Sequence, residues 1–182
     1  MAREVGPTKW RGKCTVEVIG VTPDQAWQAL SSFCNGHEWF PAMHTCHKVE
    51  GNDGQVGLIR YCTGSRKSVV KPADGQSEAK VVRMIKWAYE RLTVVDPTER
   101  QLSYEALENN MGLSSYVATM KAVPAAMKGG SGEAGCRIEW TFVCDPMVGG
   151  WKSARAYEAF LCFNLQAMAR KLEGRFRALA RI

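Results

Sequence analysis

The sequence predicts an α+β fold: seven strands forming one curved antiparallel sheet around a long C-terminal helix, with two short helices after strand one. Three observations predict it. Between Lys9 and Cys144, seven segments of alternating polar and apolar residues are separated by turn residues. The connections EGNDGQ, DPTERQ and VPAAMKGGSGEAG are of hairpin type, so sequential strands pair antiparallel. From about Lys152 to Ile182, Tyr157, Leu161, Leu165, Met168, Leu172, Phe176 and Leu179 recur at intervals of three and four, the stripe of one amphipathic helix. An antiparallel sheet with one apolar face must cover it, and this is the one long amphipathic helix in the sequence. A sheet wrapped around a helix leaves a cavity between them, a common place for a ligand.

Each element has its own signal. Strand one is Lys9 to Ile19, where Cys14, Val16 and Val18 alternate with Thr15 and Glu17. Thr22-Pro23-Asp24-Gln25 supplies an N-cap threonine, a proline at the first helical position and a glutamine at the third, so a helix starts at Pro23. CNGHEWFP is a second short helix or turn, stopped by Pro41. Six strands follow: Met43 to Glu50, Gly57 to Thr63, about Glu78 to Val95, Gln101 to Glu108, Ser115 to Val123, and Cys136 to Cys144. RKSVVKPADGQS between two of them reads as a long exposed loop.

With 182 residues, the chain buries roughly 70% of its unfolded surface, which suits a single domain. We place it at residues 9–182, after a flexible tail at 1–8. A composition 46% hydrophobic and 23% charged excludes disorder, and no apolar run approaches the ~20 residues of a membrane span. The N-terminal residues carry no secretion signal, so the expected location is cytoplasmic. Seven scattered cysteines without a CxxC pair are expected to be reduced and mostly buried. Seven basic against two acidic side chains between Trp151 and Ile182 carry most of the net charge of +6. That raises RNA or an anionic membrane as a partner of the terminal helix alone; a solvated outer face is the simpler reading, and no nucleic acid is expected.

Candidate chemistry is sparse. GSGEAG matches GxGxxG, but a strand follows it where a dinucleotide site needs a helix, so it reads as a hairpin loop. His37, His44 and His47 lie near Cys46, yet on an extended segment His44 and Cys46 share a face while His47 points away, and no second ligand cluster exists; no metal site is expected. A nucleophile built on Cys46 or Cys34 would need an electropositive, partly exposed niche. The aromatics are more informative: Trp140 and Phe142 share a face with Ile138, Tyr116 shares one with Ala118 and Met120, and Trp87 and Tyr89 oppose Ala88 and Glu90. A buried tyrosine or tryptophan needs a partner for its polar atom, and Arg60 and Glu90 are the charged candidates. Parity assigns Arg60 to a face with Leu58 and Cys62 without saying which face is inside; read alone, it falls on an outward or edge position.

KWRGK, PDQAWQAL, HKVEG, VGLIRYCTG, WAYERL, LSYEALENNMGLSSYVATM and CRIEWTFVC together resemble the plant lachrymatory factor synthase family, within the Bet v 1-like superfamily, also called the START or polyketide cyclase and dehydrase group. The resemblance runs in register from about Lys9 to Val143 and more loosely through the terminal helix. It implies a helix-grip fold. It also implies a pocket lined by an arginine, a glutamate and a tyrosine assigned to catalysis, which here are Arg60 in LIRYCTG, Glu90 in WAYERL and Tyr116 in SYVATM. The ligand-binding positions expected with them are Leu58, Ala88, Met120, Trp140, Phe142, Leu161 and Leu165.

The activity so implied is cofactor-independent: isomerisation or proton transfer, such as a sulfenic acid to thial S-oxide-like rearrangement, or cyclisation of a small hydrophobic substrate in an internal cavity. Arg60 would anchor an anion, Glu90 would serve as general acid or base, and Tyr116 would orient the substrate or relay a proton. A structural Arg60–Glu90 ion pair is the simpler alternative. So is a non-catalytic carrier or sensor using the same cavity for a lipid, hormone or phenolic ligand, because enzymes, carriers and receptors share the fold. Residues 64–80 match nothing in the family, the gating motifs of abscisic acid receptors are not evident, and no feature is specific to a sulfenic acid.

Overall fold

The computed structural model describes residues 8–70, 78, 80–125, 135–148 and 150–180. The expected tail at 1–8, except Thr8, and the GSGEAG loop up to its last glycine lie outside the described residues. The elements run β1 (Trp10–Ile19), α1 (Pro23–Ser31), a single 3-10 turn (Phe33–Asn35), α2 (Gly36–Trp39), β2 (Met43–Glu50), β3 (Ile59–Val70), β4 (Lys80–Asp96), β5 (Gln101–Asn109), β6 (Val117–Pro124), β7 (Gly135–Cys144) and α3 (Ala154–Leu179). All seven strands form one antiparallel sheet in the order β1-β7-β6-β5-β4-β3-β2. The first strand pairs with the last, and α1 and α2 carry the chain from β1 to the opposite edge, β2. This is the helix-grip fold.

The start of α1 is closed as its sequence dictates. The Thr22 backbone N–H donates to Gln25 Oε1 at 2.9 Å and the Gln25 N–H donates to Thr22 Oγ1 at 3.2 Å, a reciprocal cap worth about 1 kcal/mol. Helix α3 lies along β1: Glu158 and Glu173 accept from the backbone N–H groups of Lys13 and Ile19. These carboxylates satisfy donors on a strand that pairs with β7 on one side only, which protects an open edge. Val18, Ile138, Leu165, Met168 and Leu172 are fully buried between sheet and helix.

Three expectations change. The segment read as an exposed loop from Arg66 onward continues β3 to Val70, paired with β4 from Lys80 (Val69 opposite Val81, Arg66 opposite Met84). Its β-branched residues favour extension, and its partner, β4 from Val81 to Ile85, is exposed, so strand pairing rather than burial of one apolar face holds it extended. β6 begins at Val117 rather than Ser115, because Ser115 takes a left-handed φ of 49° and turns the chain, its hydroxyl donating to Asp145 at 2.7 Å. The cysteines are not all reduced: Cys14 on β1 and Cys162 on α3 form a disulfide with Cα atoms 5.2 Å apart, across a sequence separation of 148 that spacing arguments cannot see. A cytoplasmic setting would keep that pair reduced. Among the described residues, no helix is long and apolar enough to cross a membrane.

Candidate functional site

Between the concave sheet, α1, α2 and α3 lies a cavity of about 220 Å³. Its wall is largely apolar, with Phe33, Trp39, Phe40, Tyr104, Trp140 and Tyr157 among its larger side chains. Two charges face it from neighbouring strands. Arg60 on β3 and Glu90 on β4 are directly opposed in the register, which places both side chains on the inner face.

Arg60 is buried. Its Nη2 and Nε approach the same oxygen, Glu90 Oε2, at 2.6 and 2.7 Å, and its Nη1 donates to the Phe33 carbonyl. The guanidinium carbon sits 3.7 Å from the centre of the Phe33 ring, a cation–π contact in a dry setting. The carbonyl comes within reach because the chain turns through Phe33–Asn35 into α2 at Gly36, where a Cβ would stand 2.7 Å from Met43 Sδ and 3.2 Å from Arg60 Nη1. Burial is the largest single influence and works against the charged guanidinium, but the Glu90 carboxylate, with smaller contributions from Cys62, Cys46 and Tyr104, outweighs it in sum, so its pKa is raised and Arg60 stays ionised. Glu90 Oε1 has no hydrogen-bond partner among the described residues.

Tyr116 lines the same cavity without touching that pair by hydrogen bond. It sits just before β6 and is fully buried, its hydroxyl 3.2 Å from that of Tyr157 on α3. Its ring stacks on Phe142 and lies 6.3 Å from the ring of Tyr104, which also faces Arg60. Burial pushes the phenols of Tyr104, Tyr116 and Tyr157 up, so all three are neutral donors at ordinary pH. The three expected catalytic residues therefore share one cavity, as a bonded Arg60–Glu90 pair and a separate tyrosine pair.

Of the expected ligand-binding positions, Ala88, Met120, Trp140 and Leu161 line the cavity. Leu58, Phe142 and Leu165 do not; they are core. Leu58 lies at the turn end of β3, its carbonyl accepting from the Leu92 N–H, Phe142 packs behind Tyr116 and Tyr157, and Leu165 is fully buried. Strand parity gives the inward face but not how deep along it a cavity extends. Trp140 Nε1 is buried with no partner among the described residues.

Sequence reasoning misses Phe33, whose contribution is a backbone carbonyl and a ring face, and the hydroxyl of Tyr157, since the helical pattern shows that residue only as one member of an apolar stripe. It also misses the thiol pair beside the ion pair. Cys46 and Cys62 oppose each other on β2 and β3 with their sulfurs 3.0 Å apart. The Cys62 S–H and the nearby Arg60 favour the Cys46 thiolate against the cost of burial, bringing Cys46 to about 7. Cys34 is pushed up by burial, which leaves it a poor nucleophile. His37, His44 and His47 are all exposed, and among the described residues no group of three His, Cys, Asp or Glu side chains is placed to hold a metal ion. The cations Arg155, Arg170, Lys171, Arg175 and Arg177 are on the solvent side of α3.

A curved antiparallel sheet closed by a C-terminal helix over a largely apolar cavity with buried polar pairs defines a helix-grip protein. Residues 11–180 match the family described as polyketide cyclase / dehydrase and lipid transport, and the chain belongs to that family. Solved structures share the fold at low identity. A Thermobifida fusca protein is 20% identical, with a TM-score of 0.63 over 91% of this chain and 94% of its own. An uncharacterized protein of Bacillus thuringiensis is 16% identical, with a TM-score of 0.63 over 89% of this chain and 98% of its own. Ginseng (Panax ginseng) major latex-like protein 151 is 17% identical, with a TM-score of 0.60 over 89% of this chain and 97% of its own.

Proposed function

We propose that the protein is a small cofactor-independent enzyme of the lachrymatory factor synthase type, moving a proton within, or cyclising, a small hydrophobic substrate held in the cavity. One observation carries the reading: Glu90 has one oxygen fixed by Arg60 and the other without a partner among the described residues, on the wall of an otherwise largely apolar cavity. A carboxylate oriented in this way can take a proton from one substrate atom and return it to another. Of the five guanidinium N–H groups, three are engaged, by Glu90 and the Phe33 carbonyl. The remainder are donors for an oxygen that gains negative charge during the transfer, where water exclusion makes such a bond strong. The Tyr116–Tyr157 hydroxyl pair supplies a neutral donor on the wall of the same cavity.

A second reading has its own support. Arg60 and Glu90 balance each other in charge, and a charge-balanced buried pair is what a carrier with a neutral interior would keep; the family's description includes lipid transport as well as cyclase and dehydrase chemistry. Glu90→Gln separates the two. Under the enzymatic reading, the variant loses substrate turnover and substrate-dependent solvent-deuterium incorporation while retaining ligand affinity within a few-fold. A wild type that turns over nothing in a panel of small enolisable and sulfur-containing substrates, with E90Q altering affinity alone, makes it a carrier.

A further inference from the structure

We propose that the mouth of the cavity is a seat for the acidic head of a small amphipathic ligand, formed by Arg66 and Lys86 beside the Trp151 ring. The inference rests on the cavity being a ligand site, and it adds the ligand's charge and orientation.

The charge balance of the wall points there. The charged residues among the described lining are Arg60, Glu90, Arg66 and Lys86. The first two cancel at hydrogen-bond distance, so the positive excess belongs entirely to the other two. Lys86 is opposite Gly64 in the β3–β4 register, and Arg66 is two residues beyond Gly64 on the same face of β3. Such diagonal neighbours stand roughly 7–8 Å apart, a gap that one carboxylate or sulfonate bridges between two long side chains.

Both cations are already held in place, and by neutral groups. Arg66 Nη1 donates to the Gly150 carbonyl at 2.6 Å and its guanidinium carbon is 4.3 Å from the centre of the Trp151 ring. Lys86 Nζ donates to the Asn110 carbonyl at 3.1 Å. Neither forms an ion pair among the described residues, whereas Lys9, Lys13, Lys48, Arg91, Arg100 and Lys121 all do. Pinned side chains lose less entropy when they take an anion, and each keeps N–H donors for it. Met111 and Trp151 continue the apolar wall up to the two cations, so an apolar body inside and an acidic head outside match the surface point for point. A cavity of about 220 Å³ lies below the ~300–1,000 Å³ of typical drug-sized sites, which favours a single small amphiphile over a two-chain lipid.

The test uses two fluorescent probes that differ by one acidic group, anilinonaphthalene sulfonate and phenylnaphthylamine, titrated into the full chain. The wild type should bind the sulfonate about 10–100-fold more tightly than the neutral probe at low salt, and the ratio should fall as salt rises. In the double variant R66Q/K86Q the ratio should approach one, with phenylnaphthylamine affinity unchanged as the sign of an intact cavity. Equal affinities in the wild type overturn the proposal, as does a preference that survives the double substitution, which would put the anion at Arg60. Should the double variant fail to fold, a wild-type preference insensitive to salt still refutes the seat. If neither probe binds, the cavity reading itself fails, and the seat with it.

Discussion

Replacing Arg60 by methionine should be among the most damaging single changes in the sheet. The substitution keeps most of the side-chain length but leaves Glu90, whose side chain is 12% exposed, as a carboxylate with no cation beside it and the Phe33 carbonyl without its donor. Breaking a buried pair by removing one partner costs about 3–5 kcal/mol. In a chain of this size that corresponds to a drop in Tm of roughly 2–4 °C for each kcal/mol, about 8–16 °C in all for a ~4 kcal/mol loss. The double variant R60M/E90L removes both charges and should recover to within about 2 kcal/mol of wild type, because a well-packed apolar pair replaces an ion pair at little net cost. Urea unfolding of the wild type, both single variants and the double gives the coupling energy directly. A loss below about 1 kcal/mol for R60M, or single effects that simply add in the double, would refute the argument: the pair would then be solvated, in the range of exposed ion pairs.

The tyrosine pair obeys the same logic without charge: Y116F leaves the buried Tyr157 hydroxyl without its partner and should cost about 1–3 kcal/mol. Y116F/Y157F should be less destabilised than the sum of the single variants, and strict additivity in denaturant unfolding would show that the hydroxyls do not interact. Glu139 predicts a pH dependence. The Lys13 hydrogen bond, aided by Arg137, holds its carboxyl below the ordinary 4.5, and a depressed carboxylate stabilises fully above its unfolded value and loses that contribution as pH falls through the folded one. Wild type should therefore exceed E139Q by at most about 1 kcal/mol at neutral pH for this partly solvated group, with the gap closing toward acid in thermal unfolding. A gap that is constant or widens toward acid contradicts the assignment.

How much of this was legible in the sequence depends on the kind of signal. Periodicity carried α3 and most of the strands, because each of these buries one face and the core enforces the pattern; β2, where Cys46 alone is buried, is the exception. Periodicity failed for the outer part of β3 from Arg66 to Val70, and for Cys14–Cys162, where the partners are 148 residues apart. Arg60 shows the deeper limit. Alternation put it on one face with Cys62, but deciding that the face was inward required knowing that Glu90 stood opposite, and that register is fixed by the whole length of a hairpin rather than by anything near residue 60. Family resemblance named the pair where local physics could not. The Phe33 carbonyl escaped every sequence argument, since any residue offers one.

The cavity itself follows from where the sequence places small and large side chains. Ala88 and Cys62 flank the ion pair on the sheet, and Ala29, Gly36 and Ala42 face it from the helices and the turn after them, so little side-chain volume enters the middle of the space. Tyr104, Trp140 and Tyr157 stand around it. In a protein interior that otherwise packs at crystal density, such a void persists only if rigid rings prevent the walls from collapsing inward. The Tyr116–Tyr157 hydroxyl contact joins the β6 end of the wall to α3, and the Asn164 carboxamide on α3 accepts from the Ala42 N–H at 3.1 Å, bracing the wall beside α2. The charged pair contributes to the same end: a bonded Arg60 and Glu90 fix β3 to β4 on the inner face and cannot swing across the gap, since each would lose the opposite charge that offsets its desolvation. Stability and function therefore draw on the same residues here. The groups that keep the cavity open are also the groups placed to act on whatever fills it.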